Sequence, residues 1–359
     1  MIFEIIEIIQ VFIVFQCALF SLYLFTTSSG KSLSNNLMGI FLIVLGLQMS
    51  LLTLLDTGNI YVYRFALSIR FVFGPILYFY VRSITEKEYK LTYTSTIHLI
   101  PFLMMLTVLN MNASINRVFL LFIVNFSAIV YLFASYLKIN QYQAVIKQIR
   151  SSYSAISLAW LQQLVSLLTV ALIINFINNT LYNEAFWPLE VMILVETLVL
   201  FLLVNVMVFK GLKHPNLFSG ISSEDNQIIE DSREKYATSP LKSEDLQNYR
   251  SQLEHLMHTE CTYLNPELTL SDVADMLSIS SRELSQVINT QFDKNFSEYI
   301  NHYRIERALK IFNESDDSKM TVLEVLYEVG FNSKSSFYNA FKKYTNMTPK
   351  EYRANLNPT

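Results

Sequence analysis

The chain has 359 residues, more than one ordinary domain uses, and its 52% hydrophobic content with a mean hydropathy of +0.32 excludes a simple water-soluble globule. The formal net charge of −3 is unevenly spread: residues 1–210 hold 11 Lys/Arg and 8 Asp/Glu, whereas residues 211–359 hold 16 and 22. The first part suits lipid and the second suits water. With only Cys17 and Cys261, no disulfide framework or cysteine-based metal site is expected, which fits a reducing cytoplasm around the second part. The chain opens on Glu4 and Glu7 and has no Lys or Arg before Lys31, so its first apolar run is expected to stay as a membrane helix and not to be cleaved as a secretory signal.

A spanning helix needs about 20 mostly apolar residues. Such runs lie near 2–26, 36–55, 60–82, 96–110, 117–137, 157–178 and 187–209, the fourth being the shortest. The predicted fold is therefore all-α: a bundle of about seven transmembrane helices over residues 1–210, followed by a polar half. Lys and Arg resist translocation and mark the inner connections. With the N-terminus outside, the inner connections hold Lys31, Arg82, Lys87, Lys90, Lys138, Lys147, Arg150, Lys210 and Lys213, against Arg117 alone outside. An odd number of spans then leaves the C-terminal half in the cytoplasm. Six or eight would lose this asymmetry.

Residues 211–240 are polar and lack sustained periodicity, and read as a cytoplasmic linker. Apolar residues return at helical spacing with Leu246, Leu253, Leu256 and Met257, opening a domain over 241–359 with a helix to about Thr259. A Ser or Thr cap followed three positions later by an acid marks a helix start. Thr269 with Asp272, Ser280 with Glu283, Thr321 with Glu324, and Thr348 with Glu351 are four such pairs. They predict helices over about Leu270–Leu277 and Ser281–Gln291, and the same plan again some 52 residues on, giving two helix–turn–helix units near 269–292 and 321–345. Gly330 stands where the second unit turns and a positive φ is required, and Ser278 takes that place in the first.

In each second helix Leu284, Val287 and Ile288, or Phe337, Ala340 and Phe341, form a core stripe at i, i+3 and i+4. The opposite faces carry Arg282, Ser285, Gln286 and Asn289 in the first unit, and Lys334, Ser335, Asn339, Lys342 and Lys343 in the second. These side chains can donate to phosphates or read base edges, although polar residues on an exposed helix are more often merely solvated.

The segments VADMLSISSRELSQVIN, YINHYRIERALKIF and GFNSKSSFYNAFKKYTNMTPKEYR resemble the DNA-binding domain of AraC/XylS-type transcription regulators over roughly residues 250–355. The resemblance implies two helix–turn–helix units joined by a long helix, here about Ser297–Phe312, with two recognition helices in successive major grooves of double-stranded DNA. It implies base readout by Arg282, Ser285, Gln286, Lys334, Ser335 and Asn339. The small residue usual in the scaffold helix is kept as Ala274 but is Leu326 in the second unit, and two usual glycines are Asn295 and Asn346, which tolerate left-handed geometry. The membrane half loosely resembles multi-span sensor regions fused to such domains, most visibly in RFVFGPILYFYVRSIT.

Residues 260–359 hold 11 Lys/Arg against 14 Asp/Glu, unlike the basic surface usual for nucleic-acid binders. Weak non-specific affinity follows, with a homodimer expected to supply the rest. His255, His258 and Cys261 have metal-compatible spacing, but scattered His on a helix face is far commoner and no metal or cofactor is expected. No phosphate-cradling loop, kinase signature or nucleophile motif is present, so no catalytic residue is assigned and the chain is not expected to be an enzyme.

Polar groups within spans are costly and face a bundle interior or a cavity. Gln48, Arg70, Asn125 and Glu196 lie about seven to ten residues inside the outer ends of four spans, one layer roughly 10 to 15 Å deep at ~1.5 Å per residue. The layer is a candidate site for a small-molecule or membrane signal, and an Arg70–Glu196 pair that only holds the bundle together is equally consistent with it. Gly74, Pro75 and Pro101 are candidate kinks. The leading expectation is a membrane-bound one-component transcription regulator embedded in the lipid bilayer. The alternative is a receptor or transporter whose helical tail binds a protein partner.

Overall fold

The computed structural model describes residues 2–27, 32–53, 59–86, 89–111, 117–152, 157–180, 189–213, 243–314 and 320–356. They form helices and no strand, and the chain divides into two compact units, Met1–Asn140 with Leu158–Gly220, and Gln141–Ser157 with Ile221–Thr359.

In the first unit the helices are α1 (Ile2–Thr26), α2 (Ser32–Thr53), α3 (Ile60–Thr85), α4 (Ile100–Asn110), α5 (Arg117–Ile149), α6 (Ala159–Thr180) and α7 (Leu189–Lys213). A 3₁₀ stretch over Tyr93–Leu99 leads into α4. Among the described residues, four helical stretches, Ile2–Thr26, Ser32–Leu51, Ile60–Thr85 and Phe119–Ile149, are long and apolar enough to cross a membrane, while Tyr93–Leu109, Ala159–Ile174 and Ile193–Val206 are shorter apolar stretches.

These helices are built inside out relative to a soluble bundle. On α5 the side chains of Phe119, Phe122, Phe126, Val130, Phe133 and Leu137 recur at i+3 and i+4 and are exposed, whereas Asn125 and Ser135 on the other side are buried. Exposed Ile8, Val11, Phe15, Leu19 and Leu22 do the same on α1, over buried Gln10 and Ser21. Among the described residues, two apolar clusters lie in this interior. Ile13 and Cys17 of α1 meet Leu42, Leu45 and Met49 of α2 and Val204 of α7, and Leu67 and Phe71 of α3 meet Met105, Leu109, Leu120 and Val124. Polar rungs tie helices together: the amides of Gln16 and Asn205 bond reciprocally (3.2 and 3.4 Å), and Ser83 donates to Ser34 (2.9 Å).

Two expectations change. Pro101 lies in the first turn of α4, where its missing N–H breaks no helical bond, so it starts this helix and does not kink it. Helix α5 continues twelve residues beyond the predicted end at 137, to Ile149, because Ile139, Tyr142, Val145, Ile146 and Ile149 extend a buried stripe at helical spacing. Its last nine residues and those up to Ser157 belong to the second unit, so that unit does not begin at the polar half of the sequence. The segment read as a linker lies outside the described residues apart from its first three.

The second unit continues with α8 (Ser243–His255), which ends in a π turn over Leu256–Glu260, then α9 (Leu270–Met276), α10 (Ser281–Phe292), α11 (Phe296–Glu314), α12 (Val322–Glu328), α13 (Lys334–Thr345) and α14 (Pro349–Leu356). The four capping pairs all form, with the acid accepting from the cap's backbone N–H and the cap hydroxyl from the acid's (2.6–3.3 Å). Asn346 ends α13 in the left-handed region at φ 60°, but Asn295 does not adopt it. Asp293 does, and Asn295 instead caps α11, its Oδ1 accepting from Glu298 N (2.9 Å) while Glu298 accepts from Asn295 N (3.2 Å).

Leu326 packs into the core that the second helix pair shares with α11, among Ile305, Ala308, Phe312, Val325, Val329, Phe331, Phe337 and Phe341. This larger side chain is fully buried there. Leu326→Ala is therefore expected to destabilise the second unit by roughly 2 to 5 kcal/mol through the cavity it leaves, whereas exposed Leu323→Ala should shift stability by less than about 0.5 kcal/mol. Amide exchange across α12 and α13 in the full chain measures both.

Candidate nucleic-acid interface

The face carried by α10 is set by what precedes it. Thr269 starts α9, Leu277 caps its end, and Ser278 reverses the chain at φ 55°. Ser280 then fixes the first turn of α10: its N–H and hydroxyl both donate to Glu283 (2.8 and 2.7 Å), and its Oγ accepts from Glu283 N (3.2 Å). In the second pair the turn rests on Gly330, at φ 87°, where a Cβ would stand 2.6 Å from the carbonyl oxygen of Leu264. Both the backbone angle and that close approach exclude any side chain there. Ser333 caps α13 through Ser336 N (3.2 Å), a start that sequence reasoning left unassigned.

On α13 the residues Lys334, Ser335, Asn339, Lys342 and Lys343 are all exposed, opposite buried Phe337 and Phe341. The ammonium of Lys334 lies over the Tyr338 ring, 5.6 Å from its centroid, and Lys343 Nζ is paired with Glu298 of α11. On α10, Arg282, Gln286 and Asn289 are half-buried. Ser285 departs from expectation: it is 5% exposed and its Oγ accepts a long bond from Asn289 Nδ2 (3.4 Å), so its small side chain lies at the edge of the core stripe. The polar face of α10 is therefore Arg282, Gln286 and Asn289.

Burial pushes the Glu298 carboxyl up, but hydrogen bonds from Lys343 and Asn295 N, with the charges of Lys343 and Lys147, hold it below the usual carboxylate range.

The residue that sequence reasoning missed is Arg304. It is fully buried on α11, and its spacing with Ser297, Ile300, Ala308 and Phe312 places it in the middle of that helix's core stripe. That spacing was the available signal.

In the first unit, Arg70 is half-buried and lies within electrostatic reach of Glu196 and Tyr63. Gln48 is buried with neither amide atom hydrogen-bonded, and Asn125 is buried with its Nδ2 donating to Leu121 O of its own helix (2.8 Å). Among the described residues, no group of three His, Cys, Asp or Glu is placed to hold a metal ion.

Residues 273–355 match the family described as a helix-turn-helix domain. The C-terminal segment is an AraC-type helix-turn-helix domain. A similar protein is the HTH-type transcriptional regulator of the cgkA 5′ region in Pseudoalteromonas carrageenovora, 33% identical over 98 residues, or 27% of this chain and 55% of that one. The melibiose operon regulatory protein of Escherichia coli is 29% identical over 86 residues, 24% of this chain and 28% of its own length. Among solved structures, the C-terminal domain of the two-component response regulator YesN from Fusobacterium nucleatum is 29% identical and covers 30% of this chain and 98% of that one, with a TM-score of 0.26. The likeness thus spans about a quarter to about half of the curated relatives' own length.

The cap of α10 in this AraC-type domain has a pH signature. Backbone and side-chain hydrogen bonds from Ser280 hold the Glu283 carboxyl below its ordinary value, against a smaller opposing effect of burial. A carboxyl so held contributes stability above its unfolded pKa and loses it as pH falls through the folded one. Protection of the first-turn amides of α10 should thus be constant at neutral pH and fall below about pH 4.5. Glu283→Gln, which still accepts from Ser280 N, should flatten that step in an exchange titration.

Proposed function

We propose that this protein is a membrane-bound one-component transcription regulator: about seven spans hold it in a bacterial inner membrane, a signal acts on the bundle, and two helix–turn–helix units bind a specific double-stranded DNA sequence in the cytoplasm. One observation carries the reading. The polar face of α13, with three lysines and no acid, is mounted on a shared apolar core and repeats the plan of α9 and α10, while helices of the same chain put their apolar side chains outward and their polar ones inward.

Several features support the finer points. The 3₁₀ stretch over Tyr93–Leu99 rises about 2.0 Å per residue and α4 about 1.5 Å, so the pair has a contour of roughly 30 Å, enough for a fourth span. Ser151, just past α5, donates from its N–H to Leu268 O (3.1 Å), which supports a reading in which the connection after α5 shares a compartment with the DNA-binding domain. Helices α6 and α7 lie between them in sequence, and two crossings return the chain to the side where it started. The excess of inner Lys and Arg supports reading that side as the cytoplasm. The acidic balance of the domain favours binding as a homodimer, and the name of each transcriptional-regulator relative is in keeping with DNA as the partner.

Topology is tested by fusions. A reporter active only in the cytoplasm should work when joined after Lys213 and stay silent after Asp56, and the reverse pattern overturns the reading.

Base readout is assigned to Arg282, Gln286 and Asn289 on α10 and to Lys334, Ser335 and Asn339 on α13, with Lys342 and Lys343 on phosphates. Arg282→Ala and Lys334→Ala should each weaken specific binding by about 1 to 3 kcal/mol, while Lys342→Ala should weaken binding to all sequences alike and lower the salt slope by about one. Titrations of the folded variants against specific and random duplexes at two salt concentrations separate these effects.

In the membrane half, Arg70 and Glu196 are read as partners within the polar layer that also holds Gln48 and Asn125. An unpaired charge there costs about 2.5 to 3.5 kcal/mol on insertion scales. Neutralising either residue should lower membrane levels or lock the regulatory output, and the swap Arg70→Glu with Glu196→Arg should recover part of each loss. A double-mutant cycle with zero coupling removes the pair and leaves Arg70 as the receptor for a charged signal.

A further inference from the structure

Within the second unit, the short segment after α5 is built into the DNA-binding domain. Arg150 and Thr269 form an isolated antiparallel bridge, Ser151 N donates to Leu268 O (3.1 Å), and Ser297 Oγ donates to Ser151 O (3.2 Å). Arg304 completes the contact, with Nη2 donating to Ser151 Oγ (3.1 Å) and Nη1 to Ser152 Oγ (3.4 Å). Ser151 and Ser297 are each 1% exposed and Arg304 is 0% exposed.

The chemistry of Arg304 makes this more than a chance touch. Its other donors reach the carbonyls of Tyr263 (2.6 Å) and Asn265 (2.7 Å), with Asn301 Oδ1 at 3.4 Å, and no salt bridge forms among the described residues. Burial pulls its pKa down to about 9, with the charge of Glu267 opposing. A buried charge answered by neutral oxygens tolerates the loss of few of them. Two of the five acceptors come from residues 151 and 152.

The segment also reaches both helix pairs. Leu268 and Thr269 open the first, Ser297 and Arg304 lie on the helix that joins the two, and the Arg304 guanidinium sits 5.4 Å from the centroid of Phe331 at the turn of the second. One turn back on α5, Lys147 acts on Glu298, the carboxylate that holds Lys343 of α13. Helix α5 is continuous from Arg117 to Ile149, so residue 150 follows directly on its last turn.

We propose that residues 150–152 are an intramolecular docking strap through which α5 controls the domain: docked at Arg304 the strap holds the two helix pairs in the DNA-competent arrangement, and its release lowers operator affinity. The direction follows from two effects of release. Arg304 loses acceptors beside the cap of α9, and Glu298 loses the competing charge that weakens its hold on Lys343. The proposal rests on the DNA-binding reading above, and the experiment separates the two.

Full-length protein in nanodiscs, with Cys17→Ala and Cys261→Asn, receives Arg150→Cys and Thr269→Cys, plus a protease site between Lys213 and Ser243. Residues paired across an antiparallel bridge have Cα atoms about 4.5 to 5.5 Å apart, within disulfide reach. After oxidation and cleavage the two fragments should stay together on a non-reducing gel, and single-cysteine controls should separate. The DNA probe is the sequence that the parent enriches from a random duplex library. The oxidised form should bind it at least as tightly as the reduced form, and Ser151→Ala with Ser152→Ala, leaving Arg304 in place, should weaken binding roughly tenfold or more. Separation of the oxidised fragments, or equal affinity of the double-alanine variant and the parent, overturns the strap. A parent that enriches no sequence overturns the DNA-binding reading, and the strap's regulatory role with it, even where the fragments stay joined.

Discussion

Arg304 carries its charge into the centre of the C-terminal domain with carbonyl, amide and hydroxyl oxygens around it and no salt bridge among the described residues, so every element that supplies one of those oxygens must be in place at once. The carbonyls come from the turn that precedes α9, the hydroxyls from the connection after α5, and the aromatic cover from Phe331. A buried guanidinium of this kind adds little net stability, because its desolvation offsets most of what its hydrogen bonds return. Its effect is on arrangement, since other packings of the same helices leave the charge unanswered.

The remaining elements are ordered around that point by local devices. Reciprocal capping pairs start α9, α10, α11, α12 and α14 at fixed residues, which sets the rotation of each helix and hence which side chains turn outward. The residues in positive φ at Ser278 and Gly330 bring the second helix of each pair back across the first. With Leu284, Val287 and Ile288 or Phe337 and Phe341 buried, the opposite side of each helix has only Arg, Lys, Asn, Gln and Ser to present. The acidic balance of the domain and its candidate role are compatible because many carboxylates are spent within the fold, on caps and on Glu298's hold of Lys343.

The first unit has the opposite pattern. Its apolar side chains face out, the arrangement expected where the surrounding medium is as apolar as they are, and in such a medium an amide without a partner is costly. Gln16 and Asn205 meet this demand by pairing with each other across α1 and α7, Asn125 by bonding back to its own helix, and Arg70 by its proximity to Glu196. Gln48, buried with neither amide atom bonded, is the exception in that layer.

Much of this was legible from the residues alone, because it rests on interactions between near neighbours in the chain. Capping pairs act over three positions, amphipathic stripes over three or four, and the apolar runs over about twenty, so the division into an apolar and a polar part, the paired short helices and the outward side chains of α13 follow from order along the sequence. Where a long-range contact takes over, sequence reasoning stops. Asn295, read for a left-handed turn, was a local miss, since its capping partner Glu298 stands only three positions on. Ser285 sat in a polar pattern, yet its small side chain falls at the edge of the core. Arg304 looked like one more charge in a mixed helix, and four of its five acceptors lie 39 to 153 residues away. Composition and periodicity determined what each helix is and which of its faces carries apolar side chains. Only the tertiary structure decided that the end of α5 belongs to the C-terminal unit, because that depends on which distant oxygens a buried guanidinium finds.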